Sequence, residues 1–86
     1  MTETDIRAVY LEELVRVAPD IDPAEVSDHD HLQEDLELDS MDILTLVTAL
    51  HERLGIDIPE ADYPRIASLA EATGYLAAAL EQRGKA

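Results

Sequence analysis

Residues 39–55 read Asp-Ser-Met-Asp-Ile-Leu-Thr-Leu-Val-Thr-Ala-Leu-His-Glu-Arg-Leu-Gly, and this stretch predicts the main helix of the fold. Apolar residues recur in it at spacings of three and four, the pattern of a helix with one face in a core. The residues predicted to form that face are Met41, Leu44, Val47, Leu50 and Leu54. Asp39 or Ser40 is placed to cap the start of the helix, and Gly55 is placed to end it.

A further helix is predicted on each side of this stretch. Residues 5–18 carry one apolar face, with Thr4 or Asp5 available as the N-cap. That face consists of Ile6, Val9, Tyr10, Leu14 and Val17. Ser68, followed by Glu71, has the pattern of a capping box and is predicted to begin the last helix. The predicted buried face of that helix is Leu69, Ala72, Leu76 and Leu80.

The segments between these helices are predicted to be ordered. Pro23 is placed to open a short helical turn. Residues 27–39 form a polar loop held to the core by three leucines, which are Leu32, Leu36 and Leu38. Pro64 can begin a short helix, but it is predicted to prevent a helix that runs through from Glu60. The fold class that follows is all-α: a small four-helix bundle of three main helices and one short one, with a long ordered loop after helix 1.

The composition limits the classes of partner and site. The 86 residues suffice for a single domain with one modest core, and residues 83–86 are predicted to fray. Twenty Asp and Glu face six Lys and Arg, so the net charge of −14 disfavours nucleic acid and anionic membranes and favours basic partners. There is no cysteine for disulfides or thiolate metal sites. Without a membrane span or signal-peptide pattern, a monomer in the cytoplasm is expected.

A dedicated metal site is not predicted. Residues 28–31, Asp-His-Asp-His, resemble the start of an EF-hand loop, but Leu32 and Gln33 stand where that loop needs a ligand and a glycine. The alternating acidic residues Asp35, Glu37 and Asp39 fail in the same way, because Ser40 stands at the glycine position. The three histidines are therefore interpreted as solvated surface residues: His29, His31 and His51.

Residues 34–44, Glu-Asp-Leu-Glu-Leu-Asp-Ser-Met-Asp-Ile-Leu, carry a resemblance to a known family. An Asp-Ser pair before a helix is by itself an ordinary cap. The whole string is similar to the attachment motif of the acyl carrier family, whose hallmark is Asp-Ser-Leu or Asp-Ser-Met at the start of the second helix. Residues 56–59, Ile-Asp-Ile-Pro, and the stretch 66–76 match in order and spacing as well. The resemblance covers roughly residues 6–80.

The resemblance implies the function of a carrier protein. A holo-synthase would transfer 4′-phosphopantetheine from coenzyme A to Ser40. The thiol of that arm would carry acyl groups as thioesters between enzymes of fatty acid, lipid or polyketide-type biosynthesis. A phosphodiester on Ser40 would lie at a helix start, where free backbone N–H groups favour an anion, although Asp39 and Asp42 oppose it.

The resemblance also implies two sets of residues beyond Ser40. The cargo would occupy a pocket formed by Val47, Leu50, Ile58, Tyr63, Ile66 and Leu69. Acyl-transferring or condensing enzymes with basic docking patches would contact Asp39, Met41, Asp42, Ile43, Thr45 and Glu52.

The chain itself is predicted to be a carrier and not an enzyme. No His or Lys stands beside Ser40 in sequence to act as a base, and His51 lies about three helical turns away. The chain also lacks a catalytic triad motif and a phosphate-binding glycine loop.

Three departures from the family pattern favour a specialised member with dedicated partner enzymes over a housekeeping one. Glu37 stands where the family usually has glycine, which predicts a less strained loop and an added charge near Ser40. Ile43, Thr45 and Thr48 lie on the helix face that the family usually fills with Glu. Residues 63–64, Tyr-Pro, replace the small or acidic residues usual in the short third helix.

Two other functions remain open from the residues alone. One is a carrier of aminoacyl or D-alanyl groups, although the Asp39-Ser40 pair favours the acyl type, since peptidyl carriers more often place Gly-Gly and His or Asp before the serine. The other is an unmodified acidic adaptor that recruits a basic partner.

Overall fold

The caps and apolar periodicity produce a helical bundle in the computed structural model, which describes residues 2–84. Its α-helices are α1 (Glu3–Val17), α2 (Ser40–Leu54) and α3 (Leu69–Gly84). Two short 3₁₀ helices, η1 (Pro23–Glu25) and η2 (Glu60–Ile66), lie in the connections, and the described residues contain no strand. The predicted all-α bundle, with three main helices and a short fourth, η2, is confirmed.

Helix α1 begins earlier than predicted. Thr2 is the N-cap, and its side chain accepts a hydrogen bond from the N–H of Asp5 at 3.2 Å. The Asp5 carboxylate in turn accepts from the N–H of Thr2 at 3.2 Å. Asp5 is therefore the third helical residue of a capping box and not the cap itself, because the box needs a carboxylate one turn inside the helix.

Helix α2 has the predicted bounds, but part of its predicted buried face is wrong. Met41 and Leu44 are 68% and 46% exposed, whereas Leu46 is fully buried and Ile43 packs partly against the core. Met41 and Leu44 line a surface cavity that η2 and the long loop also border, and therefore do not enter the core. Further along the helix the predicted burial of Val47, Leu50 and Leu54 is confirmed.

The long loop between α1 and α2 is ordered, as predicted. Leu32 and Leu38 are buried, and Leu36 packs partly against the core. The N–H of Leu32 donates to the carbonyl of Ala67 at 2.8 Å, and the N–H of Leu38 donates to the carbonyl of Leu32 at 2.9 Å. The loop is thereby fixed to the segment that joins η2 to α3.

Helix η2 runs through Pro64, which corrects the prediction that proline would prevent such a helix. Because η2 is a 3₁₀ helix, its turns close over three residues, and the bonds at its ends do not need the missing N–H of proline. The N–H of Asp62 donates to the carbonyl of Pro59 at 2.8 Å, and the N–H of Ala67 donates to that of Pro64 at 3.4 Å.

Helix α3 begins after Ser68, as predicted, and the Ser68 hydroxyl accepts from the N–H of Glu71 at 3.3 Å. The helix continues through Gly84. It therefore includes the first two residues of the predicted frayed end, 83–86, while residues 85 and 86 lie outside the described part of the chain.

A single core joins these elements. Helix α1 contacts both α2 and α3, and η2 packs against α3. The buried Tyr10 hydroxyl donates to the carbonyl of Ile66 at 2.9 Å, which ties α1 to the end of η2. Burial raises the pKa of this phenol, because the charged form would lose its hydration.

Candidate functional site

The start of α2 is built by a capping box. The Asp39 carboxylate accepts from the N–H of Asp42 at 2.9 Å, and the Asp42 carboxylate accepts from the N–H of Asp39 at 3.3 Å. Each carboxylate thus satisfies one of the backbone N–H groups that a helix start leaves without a partner. Ser40, the first residue of α2, is exposed between these two caps.

A surface cavity of about 500 Å³ opens beside Ser40. It lies between the long loop, the first turn of α2 and helix η2. Its walls are mainly apolar, with polar groups from the loop and from the start of η2. The lining residues are His31, Leu32, Gln33, Ser40, Met41, Ile43, Leu44, Glu60, Tyr63, Pro64 and Ala67.

A second cavity of about 430 Å³ adjoins the first, since Leu44 and Tyr63 line both. It extends along α2 towards the segment after Gly55, and its other lining residues are Val47, Thr48, His51, Asp57, Ile58 and Pro59. Together the two cavities form a groove on the outer side of α2.

The residues predicted to hold the cargo fall into two groups. Val47, Ile58 and Tyr63 line this groove. Leu50, Ile66 and Leu69 are fully buried in the core and line neither of the two cavities. The resemblance assigns all six to one pocket, whereas the packing of the helices decides which of them line open space and which lie in the core.

The residues predicted to contact partner enzymes lie mostly at the surface. Asp39, Met41, Thr45 and Glu52 are exposed, and Asp42 is half-buried. Ile43 is also half-buried, so the more exposed apolar side chain at this position of the helix is Leu44.

Two threonine hydroxyls beside these residues bond within the helix. Thr45 donates to the carbonyl of Met41 at 3.0 Å, and Thr48 donates to the carbonyl of Leu44 at 2.9 Å. The surface of α2 around Thr45 and Thr48 therefore presents fewer free polar groups than its sequence indicates.

His31 was not predicted to belong to the site. The sequence places it nine residues before Ser40 and gives no signal that links the two, but the path of the loop brings its side chain to the same cavity. His51, in contrast, lies at the other end of the groove, where its Nδ1 is 2.9 Å from the carbonyl oxygen of Ile56 and 3.2 Å from Asp57 Oδ1. Neither histidine makes a hydrogen bond to Ser40.

Among residues 2–84, no group of three or more His, Cys, Asp or Glu side chains lies close enough to hold a metal ion. Within the same range no helix is long and apolar enough to cross a membrane.

Comparison with known proteins identifies the family. Residues 9–83 match the family model described as "Phosphopantetheine attachment site". The chain belongs to the acyl carrier protein family. It is 35% identical over 72 residues to the acyl carrier protein of Wolinella succinogenes, a match that covers 84% of this chain and 88% of that protein. It is 32% identical over 77 residues to the acyl carrier protein of Helicobacter hepaticus, covering 90% and 95% of the two chains.

Membership of this family implies a covalently attached 4′-phosphopantetheine group and places the chain among non-catalytic carriers. The geometry at the start of α2 fits such a group. An exposed hydroxyl stands at the rim of a cavity whose walls combine apolar side chains with hydrogen-bonding groups, as an amphipathic arm of amide, hydroxyl and methyl groups requires. The acyl carrier class also implies that this protein interacts with biosynthetic enzymes.

Proposed function

We propose that this acyl carrier protein bears its 4′-phosphopantetheine arm on Ser40. The observation that carries this assignment is the exposed hydroxyl of Ser40 at the first position of α2, beside a cavity that can receive the arm. The chain has two other serines. Ser68 is buried and caps α3, and Ser27, in the loop, does not line this cavity.

The attachment step uses the Ser40 hydroxyl as the acceptor. Its oxygen forms the new bond to the phosphorus next to the pantetheine, and the phosphorus–oxygen bond within the pyrophosphate of coenzyme A breaks. Adenosine 3′,5′-bisphosphate leaves, and the hydroxyl proton passes to a base of the holo-synthase. The carrier itself contributes position and not catalysis, since no described side chain makes a hydrogen bond to the Ser40 hydroxyl that would activate it. The attached arm supplies a thiol that carries an acyl group as a thioester.

The carrier delivers its cargo between enzymes of fatty acid, lipid or polyketide-type biosynthesis. Support for this comes from relatives that are named acyl carrier proteins. It also comes from the shape of the groove, in which Val47, Ile58 and Tyr63 present an apolar wall to an acyl chain that starts at Ser40.

Partner enzymes dock on the exposed side of α2. Asp39, Asp42 and Glu52 provide negative charge that attracts a basic patch, while Met41 and Leu44 provide an apolar centre. An interface of this kind has a charged rim that speeds association and an apolar centre that selects the partner. The holo-synthase approaches the same end of α2, because Ser40 is exposed there.

Incubation with coenzyme A and a broad-specificity holo-synthase tests the assignment. Intact mass should increase by one phosphopantetheine for the wild-type chain and for Ser27→Ala, which removes an exposed serine outside the motif. Ser40→Ala should gain none.

Two results would contradict the assignment. Modification of Ser40→Ala would place the arm elsewhere, and failure to modify the folded wild-type chain would favour the acidic adaptor. If the arm is attached, loading with aminoacyl groups in preference to acyl groups would show that the cargo is aminoacyl or D-alanyl.

A further inference from the structure

His31 is held in place by hydrogen bonds at both its backbone N–H and its carbonyl. Its backbone N–H donates to Asp35 Oδ2 at 2.7 Å, and its carbonyl accepts from the N–H groups of Asp35 and Leu36 at 2.9 and 3.1 Å. The next residue, Leu32, donates to the carbonyl of Ala67 at 2.8 Å. The loop at His31 is therefore fixed relative to η2, which forms the opposite wall of the cavity beside Ser40.

The imidazole of His31 has a defined tautomer. Its Nδ1 accepts hydrogen bonds from the backbone N–H groups of Gln33 and Glu34 at 3.1 and 3.4 Å. A ring nitrogen that accepts hydrogen bonds carries no proton, so the proton of the neutral ring is on Nε2. No described residue accepts a hydrogen bond from Nε2. The side chain lines the cavity with this donor still available.

A phosphodiester on Ser40 needs a donor from outside α2. The capping box uses the N–H groups of Asp39 and Asp42, which leaves only those of Ser40 and Met41 at this end of the helix. The carboxylates of Asp39 and Asp42 also stand on either side of Ser40 and repel an anion. Anion binding at a helix start depends on these N–H groups, and the capping box already uses half of them.

Among the residues that line the cavity, few can supply that donor. Gln33 is exposed, and its side chain makes no hydrogen bond that fixes its orientation. Tyr63 lies on the far wall, in η2, and Glu60 brings a carboxylate that disfavours an anion beside it. His31 is the lining residue whose free donor is held in one orientation by the rest of the loop.

We infer that His31 is a positioning residue for the prosthetic group: its Nε2–H donates to a phosphodiester oxygen of the arm on Ser40. This inference rests on the proposed attachment to Ser40 and goes beyond it. The contact directs the first part of the arm along the cavity between the loop and α2. The hydrogen bond between Leu32 and Ala67 fixes the loop at His31 relative to η2. The contact with His31 therefore makes the position of the arm depend on the position of the loop.

Two substitutions at His31 distinguish the role of Nδ1, the acceptor for the loop, from that of Nε2, the distal donor. In asparagine the side-chain oxygen is bonded to Cγ, as Nδ1 is, so His31→Asn keeps an acceptor for the loop N–H groups and loses the distal donor. In glutamine the amide nitrogen lies one atom further out, as Nε2 does. His31→Gln therefore keeps the distal donor and loses the loop acceptor. His29→Asn is the matched control, because His29 is an exposed residue of the same loop that does not line the cavity.

Each variant is prepared in the apo and the holo form, and intact mass confirms the state of Ser40. Phosphorus-31 NMR reports the environment of the phosphodiester, and melting temperatures report the stabilisation that the arm provides. In the wild-type chain and in His29→Asn, the holo form should melt at least about 4 °C above the apo form, the effect of one hydrogen bond in a domain of this size. His31→Gln should keep part of this difference, because its distal donor remains but is no longer oriented by the loop. In His31→Asn this difference should vanish. Its phosphorus resonance should move towards that of the urea-unfolded holo protein.

The inference is overturned if holo His31→Asn keeps the wild-type phosphorus resonance and the wild-type difference in melting temperature. It is also overturned if His31→Gln loses that difference as fully as His31→Asn, because the distal donor would then not be responsible. Absence of any mass increase in the wild-type chain would instead contradict the attachment to Ser40. The two failures are therefore distinguishable.

Discussion

Glu37 has a backbone conformation that its side chain disfavours. Its φ angle is 59°, in the left-handed region, and among the described residues no other non-glycine residue has a positive φ. The sequence predicted that replacing the usual glycine here would relax the loop, and that prediction is wrong. Leu38 reaches the core and Asp39 caps α2. The chain therefore keeps the left-handed turn just before them and accepts the steric cost at Glu37.

Glu37→Gly should therefore stabilise the protein. The left-handed conformation costs a non-glycine residue about 1–2 kcal/mol, and the greater freedom of glycine in the unfolded chain offsets part of the gain. We expect a net increase of about 0.5–1 kcal/mol in the free energy of unfolding, measured by urea denaturation. Glu37→Gln is the control, because it removes the same charge and leaves the steric conflict. An equal effect of both variants would show that charge, and not backbone conformation, is responsible.

Helices α1 and α2 are joined by ion pairs between Arg53 and two carboxylates, one of them buried, which the sequence did not reveal. The Arg53 guanidinium donates to Glu13 at 3.1 Å and to Glu12 at 3.0 Å. The Glu13 side chain is only 2% exposed, whereas that of Glu12 is 61% exposed. The hydrogen bond that Arg53 donates to Glu13, followed by the one that it donates to Glu12, raises the pKa of Arg53. Glu13 lies among apolar residues of α1, where a buried carboxylate requires such a partner.

Glu13→Gln should destabilise the protein more than Glu12→Gln. Both variants remove one negative charge and one charged partner of Arg53, but only the first weakens hydrogen bonds to a buried group. We expect Glu13→Gln to lower the free energy of unfolding by about 1–3 kcal/mol. For Glu12→Gln the change should stay within about 0.5 kcal/mol. Urea denaturation at fixed salt gives both values, and equal effects would show that the burial of Glu13 contributes nothing.

The charge of the whole chain opposes the packing of its helices. Arg7 pairs with Asp28, Arg16 with Glu13, and Arg53 with both Glu12 and Glu13. Twenty acidic residues nevertheless face six basic ones, so acidic side chains outnumber the available cations by more than three to one. Self-repulsion of this size favours the expanded, unfolded chain.

Salt should therefore raise the melting temperature. The Debye length falls to about 10 Å at 0.1 M salt and to about 3 Å at 1 M, so repulsion across the surface weakens more than the short-range pairs do. Circular dichroism melts in rising NaCl concentrations measure this effect. A parallel series in MgCl₂ at equal ionic strength separates screening from divalent binding. A melting temperature that is indifferent to both salts would contradict the expectation.

The bounds of α2 and the family motif could be predicted from the sequence because their causes are local. Asp39 and Asp42 bond to N–H groups within one turn, and Gly55, with a φ of 68°, ends α2 wherever the helix packs. The position of Ser40 at the start of that helix follows from the same bonds. Periodicity likewise predicts that α2 has a buried face, because an amphipathic helix can bury only one side.

Other features depend on contacts between distant segments, which only the tertiary structure decides. Leu44 lines a groove that α2 shares with η2, while Leu46 enters the core. The loop reaches the end of η2 through backbone bonds that carry no side-chain signature, and this brings His31 to the cavity of Ser40. In the sequence, Glu13 looks like a solvated surface residue. Only the fold brings Arg53, forty positions away, to its carboxylate. A periodic pattern indicates that a residue can be buried. The segments that pack against that residue decide whether it lies in the core, in a groove or beside a charged partner.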